Sequence, residues 1–230
     1  TCALPIFPHR YPHAAYAAMI SYLDDQVGNL IGQLKDLGIY DNTLIIFTSD
    51  NGPTYNGGTD SPWFDSGGPF RSEQGYAKGY VNEGGIRVPM IASWPSVIAP
   101  GTISDHVSAF WDVMPTLCEI AGIRPPDDSD GISFLPELTG KKQKEHKFLY
   151  WEFPESGGQQ AVITGKYKAL RKEMHKGNTQ FELYDLESDK EEKTNIADAH
   201  PEIIKEVENI IRKEHQKSPN PRWQFKILGD

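Results

Sequence analysis

The sequence predicts an α/β fold in which part of an α/β/α sandwich is followed by a smaller antiparallel-sheet subdomain. Helical and strand patterns alternate up to Gly140, as they do in layered α/β proteins. After that residue come short strands separated by glycine turns. The composition also changes there, because a charged run that contains four lysines occupies residues 141–147. We therefore expect a core domain at residues 1–140 and a small sheet-and-helix subdomain at 141–230.

The first predicted element is an amphipathic helix from Ala14 to Leu37. Gly38 follows it and is typical of a helix C-terminus. The polar face carries Asp24 and Asp25, which indicates a solvated face rather than an acid–base pair. The apolar residues recur at three- and four-residue intervals: Tyr16, Met19, Ile20, Leu23, Val27, Leu30, Ile31, Leu34 and Leu37.

The next element is an apolar run at residues 44–47, which predicts a buried strand of a parallel sheet because it shows no alternation. Ligands collect at the carboxyl ends of such strands, and Asp50 and Asn51 lie just beyond this one. Their side-chain oxygens suit Ca²⁺ or Mg²⁺. Taken by itself, however, Asn51-Gly52 is more typical of a turn.

A long connection at residues 52–85 follows, and its aromatic residues favour an ordered, pocket-lining loop over a flexible tether. Residues 88–93 predict a second buried strand, with Pro89 at its start or at a sheet edge. An apolar helix is expected over 107–121, closed by Gly122.

The carboxyl-terminal part predicts an antiparallel sheet covered by one helix. The helix begins at Pro201 and has one apolar face. The four predicted strands are 148–153, 161–164, 167–171 and 181–186.

Composition excludes several classes of protein. The 230-residue chain carries a formal net charge of −9, which argues against a nucleic-acid surface. No apolar run reaches the length of a membrane span. An anionic substrate would need a local positive field, for which Lys78, Arg71 and Arg87 are the candidates.

Three motifs together resemble one family. Thr-Ser-Asp-Asn-Gly at residues 48–52 is followed by Lys78-Gly79 and by Glu-Gly-Gly-Ile-Arg-Val-Pro at 83–89. This combination resembles the sulfatases, the arylsulfatase branch of the alkaline phosphatase superfamily. The likeness continues through residues 93–95, 112–116, 130–131 and 182–186.

The resemblance implies a sulfuric ester hydrolase that acts on carbohydrate or aryl sulfates with Ca²⁺ and a formylglycine. By this likeness Asp50 and Asn51 are metal ligands and Lys78 is the catalytic lysine that contacts the sulfate oxygens. Arg71 is a further candidate for substrate binding. The family likeness also implies a periplasmic or secreted protein that is matured by a formylglycine-generating or anaerobic maturase enzyme.

The nucleophile that the family uses is missing from the sequence. It is made from the first residue of a Cys- or Ser-x-Pro-x-Arg motif, and neither Cys2 nor Cys118 begins one. The segment 218–222 has the arginine but carries Asn220 in place of the proline. One Asp-Asn pair is also too few oxygens for calcium. We therefore expect the chain to be the carboxyl-terminal part of a sulfatase that is inactive alone and poorly stable.

Alternative interpretations remain. A phosphonate or phosphate ester hydrolase of the same superfamily would share Asp50, although the pattern from Lys78 to Pro89 favours sulfate. A non-catalytic module that binds sulfated glycans would fit the missing nucleophile. His9 and His13 are candidates for a leaving-group histidine, but exposed histidines before a helix are the simpler interpretation.

Overall fold

The computed structural model describes residues 10–56 and 59–230, so Cys2 and His9 lie outside the described residues. The chain forms two compact units that alternate along the sequence. In the described chain, the first contains residues 10–19, Ser49–Pro89 and Phe148–Asp230, and the second contains Ile20–Thr48 and Met90–Lys147. The expected domain boundary near Gly140 stays a prediction.

Helix α1 spans Pro12–Asp36 and ends as predicted, at a glycine in the left-handed region (Gly38, φ +69°). None of its residues is buried. Its apolar face is therefore largely open, with Met19, Leu30 and Leu37 among the exposed side chains.

Strands β1 (Ile45–Thr48) and β2 (Met90–Ser93) form a two-stranded sheet. The pair runs antiparallel, with Ile45 opposite Ser93 and Thr48 opposite Met90, so the parallel arrangement predicted for the strand before Asp50 is wrong for this pairing. The physical reason is that the connection between the two strands folds back on itself. The Gly52 amide donates to the Gly85 carbonyl at 2.9 Å, which brings the two ends of the connection together.

The prediction that both strands are buried is also wrong for the described chain. Phe47 in β1 and Met90 and Ile91 in β2 are exposed. No third strand pairs with either of them within residues 10–56 and 59–230. An apolar run without alternation indicates a strand whose two faces are both covered by other segments, but it does not identify those segments.

Helix α4 (Val113–Ala121) begins later than expected and is preceded by a 3₁₀ turn at Phe110–Asp112. Gly122 ends it, as predicted, in the left-handed region. The buried Asp112 carboxylate holds the surrounding loops, because it accepts from the amides of Ala109 (2.7 Å) and Ile132 (2.8 Å) and contacts His146 Nε2 at 2.9 Å. The short helix α5 (Leu135–Leu138) follows.

The antiparallel sheet of the first unit confirms the predicted carboxyl-terminal architecture. Its strands are β3 (Leu149–Phe153), β4 (Gln159–Thr164), β5 (Tyr167–Arg171) and β6 (Glu182–Asp185), in that spatial order. Helix α6 (Pro201–Glu214) buries Val207 and Ile211 against one face of this sheet. The sheet residues in that cluster are Val162, Ala169 and Leu183.

Two one-turn helices interrupt the long connection between β1 and β2. They are α2 (Ser61–Phe64) and α3 (Glu83–Ile86), and neither was expected from the sequence.

In the described residues, no helix is both long and apolar enough to cross a membrane.

Candidate active site

Asp50 and Asn51 lie in the loop that follows β1. The Asn51 amide nitrogen donates to Asp50 Oδ1 and to the Gly52 carbonyl, both at 3.1 Å. The Ser49 hydroxyl donates to the Asn51 carbonyl at 2.8 Å. This arrangement orients the amide, and no described residue donates to Asn51 Oδ1 or Asp50 Oδ2. Two hard oxygen atoms on adjacent residues are thus available to a cation.

These two residues make only part of a calcium site. Calcium takes about six to eight oxygen ligands, of which this pair supplies about three at most. Within the described part of the chain, no group of three or more histidine, cysteine, aspartate or glutamate side chains is arranged to hold a metal. The donor chemistry fits calcium, and the remaining ligands would have to come from elsewhere.

The loop that carries Lys78 is hydrogen-bonded to the same segment. The Lys78 amide donates to the Pro53 carbonyl at 3.0 Å, so its backbone lies beside the residue three positions beyond Asp50. Its side chain is half-buried, and among residues 10–56 and 59–230 the ammonium group forms no ion pair. A lysine whose charge is not neutralised by a carboxylate remains available to an anion.

Three glycines make this close approach possible. A Cβ atom on Gly84 would lie 1.7 Å from the Arg71 carbonyl oxygen, and one on Gly52 would lie 1.8 Å from the Gly84 carbonyl oxygen. On Gly85 it would lie 2.1 Å from the Tyr80 carbonyl oxygen. No side chain fits at those distances. The Gly-Gly pair of the 83–89 motif is therefore a packing surface that sets the Asp50 and Lys78 loops against each other.

Gln159 at the start of β4 holds the other side of the lysine loop. Its side chain is fully buried, donates to the Gly79 carbonyl at 3.0 Å and accepts from the Val81 amide at 3.2 Å. Both hydrogen bonds are made to backbone groups within three residues of Lys78. Sequence reasoning missed this residue because a glutamine at the start of a strand resembles a surface residue.

A buried charge cluster, consisting of Glu83, Lys168 and Glu192 with Arg87 at its edge, anchors the glycine motif to the sheet. Lys168 Nζ lies 2.8 Å from Glu83 Oε1 and 3.0 Å from Glu192 Oε1, and all three side chains are at most 2% exposed. The contact with Glu192 is an ion pair outside hydrogen-bond geometry. Arg87 Nη1 lies 3.2 Å from Glu83 Oε2.

Glu192 also binds the start of α3 directly. Its Oε2 atom accepts from the Glu83 amide at 2.9 Å and from Asn82 Nδ2 at 3.0 Å. Burial alone would raise the pKa of Glu83, but the charges of Lys168 and Arg87 outweigh it and lower that pKa below its usual value. The carboxylate is thus held ionised in the interior, and the cluster balances two negative charges with two positive ones.

The structure places Arg71 in a different setting from Lys78. Its Nη2 atom lies 2.5 Å from Glu73 Oε1, and its guanidinium carbon lies 3.2 Å from the centroid of the Tyr76 ring. Burial opposes the charge, but the Glu73 hydrogen bond and the nearby Tyr76 prevail and raise the pKa of Arg71. Its role in substrate binding stays a prediction.

Two family models match the chain. The sulfatase model matches residues 7–123, and the model for the C-terminal part of N-sulphoglucosamine sulphohydrolase matches residues 72–218. The chain belongs to the sulfatase family. It is 33% identical to an uncharacterised sulfatase of Schizosaccharomyces pombe, over 84% of this chain and 41% of that protein. It is also 33% identical to human arylsulfatase A, over 89% of this chain and 44% of the relative.

Solved structures show that the fold is shared. Ps i-CgsB is similar with a TM-score of 0.75 and 26% identity, over 91% of this chain and 44% of that one. A protein studied in the metabolism of glycosaminoglycans by Bacteroides thetaiotaomicron has a TM-score of 0.69 and 27% identity, over 83% of this chain and 42% of its own. These likenesses confirm the α/β fold class of alkaline-phosphatase type. The chain spans less than half the length of these relatives.

Proposed function

We propose that this chain is the carboxyl-terminal part of a sulfuric ester hydrolase that cleaves sulfate esters of carbohydrate or aryl substrates. One observation carries the proposal. The Lys78 amide is hydrogen-bonded to the Pro53 carbonyl, just beyond Asp50 and Asn51, and no carboxylate in the described part of the chain pairs with its ammonium group. A cation and two metal-type oxygen donors are thereby brought to the same loop cluster, which suits an anionic group undergoing transfer.

Asp50 and Asn51 would hold a Ca²⁺ ion that supplies positive charge to the sulfate oxygens. Lys78 adds a compact point charge on a long stem and stabilises negative charge that develops in the transition state. Arg71 serves as a further substrate contact, for which it would have to exchange part of its pairing with Glu73. These local cations are needed because the chain as a whole is acidic, with a net charge of −9.

The nucleophile in this proposal is a formylglycine outside the 230 residues. A formylglycine-generating or anaerobic maturase enzyme would produce it, and the protein would act in the periplasm or outside the cell. Support for carbohydrate as the substrate comes from Ps i-CgsB, whose structure was also determined with a neocarrahexaose at 26% identity to this chain.

Two other functions are distinguishable from this one. A phosphonate monoester hydrolase is among the similar structures, with a TM-score of 0.63, but at 23% identity that likeness concerns the fold alone. A non-catalytic module for sulfated glycans would bind them without turnover. The sulfatase proposal is preferred because the pattern from Lys78 to Pro89 favours sulfate and the glycine motif packs the loop of Lys78 against the segment that follows Asp50.

The test uses the complete enzyme, meaning this chain joined to the coding sequence upstream in its gene and coexpressed with a formylglycine-generating enzyme. We expect hydrolysis of 4-nitrophenyl sulfate exceeding that of 4-nitrophenyl phosphate and phenylphosphonate esters. Lys78→Ala should retain calcium but lose on the order of a hundredfold in kcat. Asp50→Ala should lose both calcium, measured by elemental analysis, and turnover.

Lys176→Ala is the matched control, since Lys176 is an exposed lysine that pairs with Glu173. It should leave the rate unchanged, and the 230-residue chain alone should show no turnover. Wild-type rates in Lys78→Ala would make Lys78 a bystander. Preferred cleavage of the phosphorus esters, or glycan binding without any turnover, would support one of the two other functions instead.

A further inference from the structure

An exposed aromatic platform lies in the connection that carries the candidate site. Trp63 in α2 is 64% exposed, yet one face of its indole is stacked on His13, with ring centroids 4.6 Å apart and an interplanar angle of 21°. Phe64 meets the edge of both rings, at 4.5 Å from Trp63 and 5.5 Å from His13. The indole is thus supported on one side, and much of the rest of its surface faces solvent.

A carboxylate borders this platform. Asp60 Oδ2 lies 3.3 Å from His13 Nε2, and Asp60 Oδ1 accepts from the Trp63 amide at 3.4 Å. Asp60 itself adopts a left-handed backbone conformation with φ +44°. Each carboxylate oxygen has a further lone pair for a hydroxyl donor.

Hydrogen bonds tie the platform to the candidate site. The hydroxyls of Thr59 and Ser61 both donate to the Thr54 carbonyl at 2.6 Å. Thr54 follows Pro53, whose carbonyl accepts from Lys78. The backbone of Trp63 is therefore three residue steps and two hydrogen bonds away from that of Lys78, a path on the order of 20 Å at about 3.8 Å per residue step.

We propose that Trp63, His13 and Asp60 form a subsite for an unsulfated sugar ring of the substrate, other than the ring whose sulfate ester is cleaved. This inference rests on the proposed function and specifies its substrate as an oligosaccharide. The apolar C–H face of a sugar ring matches the flat indole, while its hydroxyls match the carboxylate at the rim. A sulfate at this position is disfavoured, because it would meet the negative charge of Asp60.

The experiment compares the complete enzyme with its Trp63→Ala and Trp63→Tyr variants. The probes are 4-nitrophenyl sulfate and a panel of singly sulfated carrageenan and glycosaminoglycan oligosaccharides, of which the best substrate is used. Trp63→Ala should lower the ratio of kcat/KM for the oligosaccharide to that for the aryl sulfate by about tenfold, mainly through KM. Trp63→Tyr, which keeps an aromatic face, should recover most of that ratio.

The control variant is Trp223→Ala, which removes another half-exposed tryptophan, and it should leave the ratio unchanged. If Trp63→Ala slows both substrates equally, or neither, the subsite is refuted while the sulfatase function stands. If the unmodified complete enzyme hydrolyses no probe, the proposed function fails. Calorimetry with the same oligosaccharides then decides the subsite: about tenfold weaker binding by Trp63→Ala supports it, and equal or absent binding overturns it.

Discussion

Replacing Lys168 with methionine tests whether the buried charge cluster holds the glycine motif. The change keeps most of the side-chain length but removes the charge that lies within 3.0 Å of both Glu83 and Glu192. Glu83 would then keep only Arg87 as a charged partner, which is 49% exposed and therefore weaker, and Glu192 would keep no ion pair among the described residues. Removing one partner from a buried ion pair costs about 3–5 kcal/mol, and we expect a loss of that size.

The assay is urea unfolding of the complete enzyme, followed by circular dichroism, with Lys166→Met as the control. Lys166 lies two residues away in an exposed pair with Asp185, and its loss should leave the unfolding midpoint unchanged. Glu192→Gln completes a double-mutant cycle, in which the double variant should lose less than the sum of the single variants. A cost below about 1 kcal/mol for Lys168→Met, or strict additivity, would refute the coupling.

Acidification supplies a second readout of the same cluster. The pKa of Glu83 is lowered from its ordinary value of 4.5, so its contribution to stability is present above that pH and is lost as the pH falls through its folded pKa. Without Lys168 the buried carboxylate favours its protonated form. The difference in stability between the wild type and Lys168→Met should therefore shrink toward pH 4, and a constant difference would contradict this account.

Two further predictions concern other parts of the first unit and helix α1. Gly84→Ala should destabilise the enzyme severely in thermal unfolding, because its Cβ would lie 1.7 Å from the Arg71 carbonyl oxygen. The control is Gly28→Ala in the open helix α1, which should be neutral or stabilising by up to about 1 kcal/mol. His215 lies between Glu152 (2.6 Å) and Asp230 (2.9 Å); burial opposes its charge, but these carboxylates raise its pKa above 6.5. The stability that protonated His215 contributes is present below pH 6.5 and is lost as the pH rises through its folded pKa. The free energy of unfolding, measured from pH 6 to 9, should therefore depend less steeply on pH in His215→Gln than in the wild type. An unchanged slope would argue against this role.

The carboxyl-terminal sheet was predictable because its information is local. Short runs of β-branched and aromatic residues end at glycines such as Gly165, and the apolar face of α6 repeats at helical spacing. The antiparallel direction of β1 and β2 was not predictable, because it depends on how the intervening connection closes. A strand's own residues carry little information about the direction of its neighbour.

Some residues of the candidate site were likewise predictable from local sequence motifs, and others were not. Asp50, Asn51 and Lys78 are candidates because of their motifs, and the structure brings their loops together. Lys168 and Glu192 were missed, since a lysine in a strand and a glutamate in a charged run both resemble solvated residues. Their burial follows from a partner far along the chain, a relation that no local pattern encodes.

The contact between Glu192 and the Glu83 amide joins residues 109 positions apart, which gives the site an order of assembly during synthesis. The lysine loop leaves the ribosome well before β4, β5 and Glu192, which secure it. At synthesis rates of about 5–20 residues per second, that interval lasts roughly 5–20 s. The nascent loop spends this time without its buried anchor, so the candidate site is completed only when the carboxyl-terminal sheet has formed.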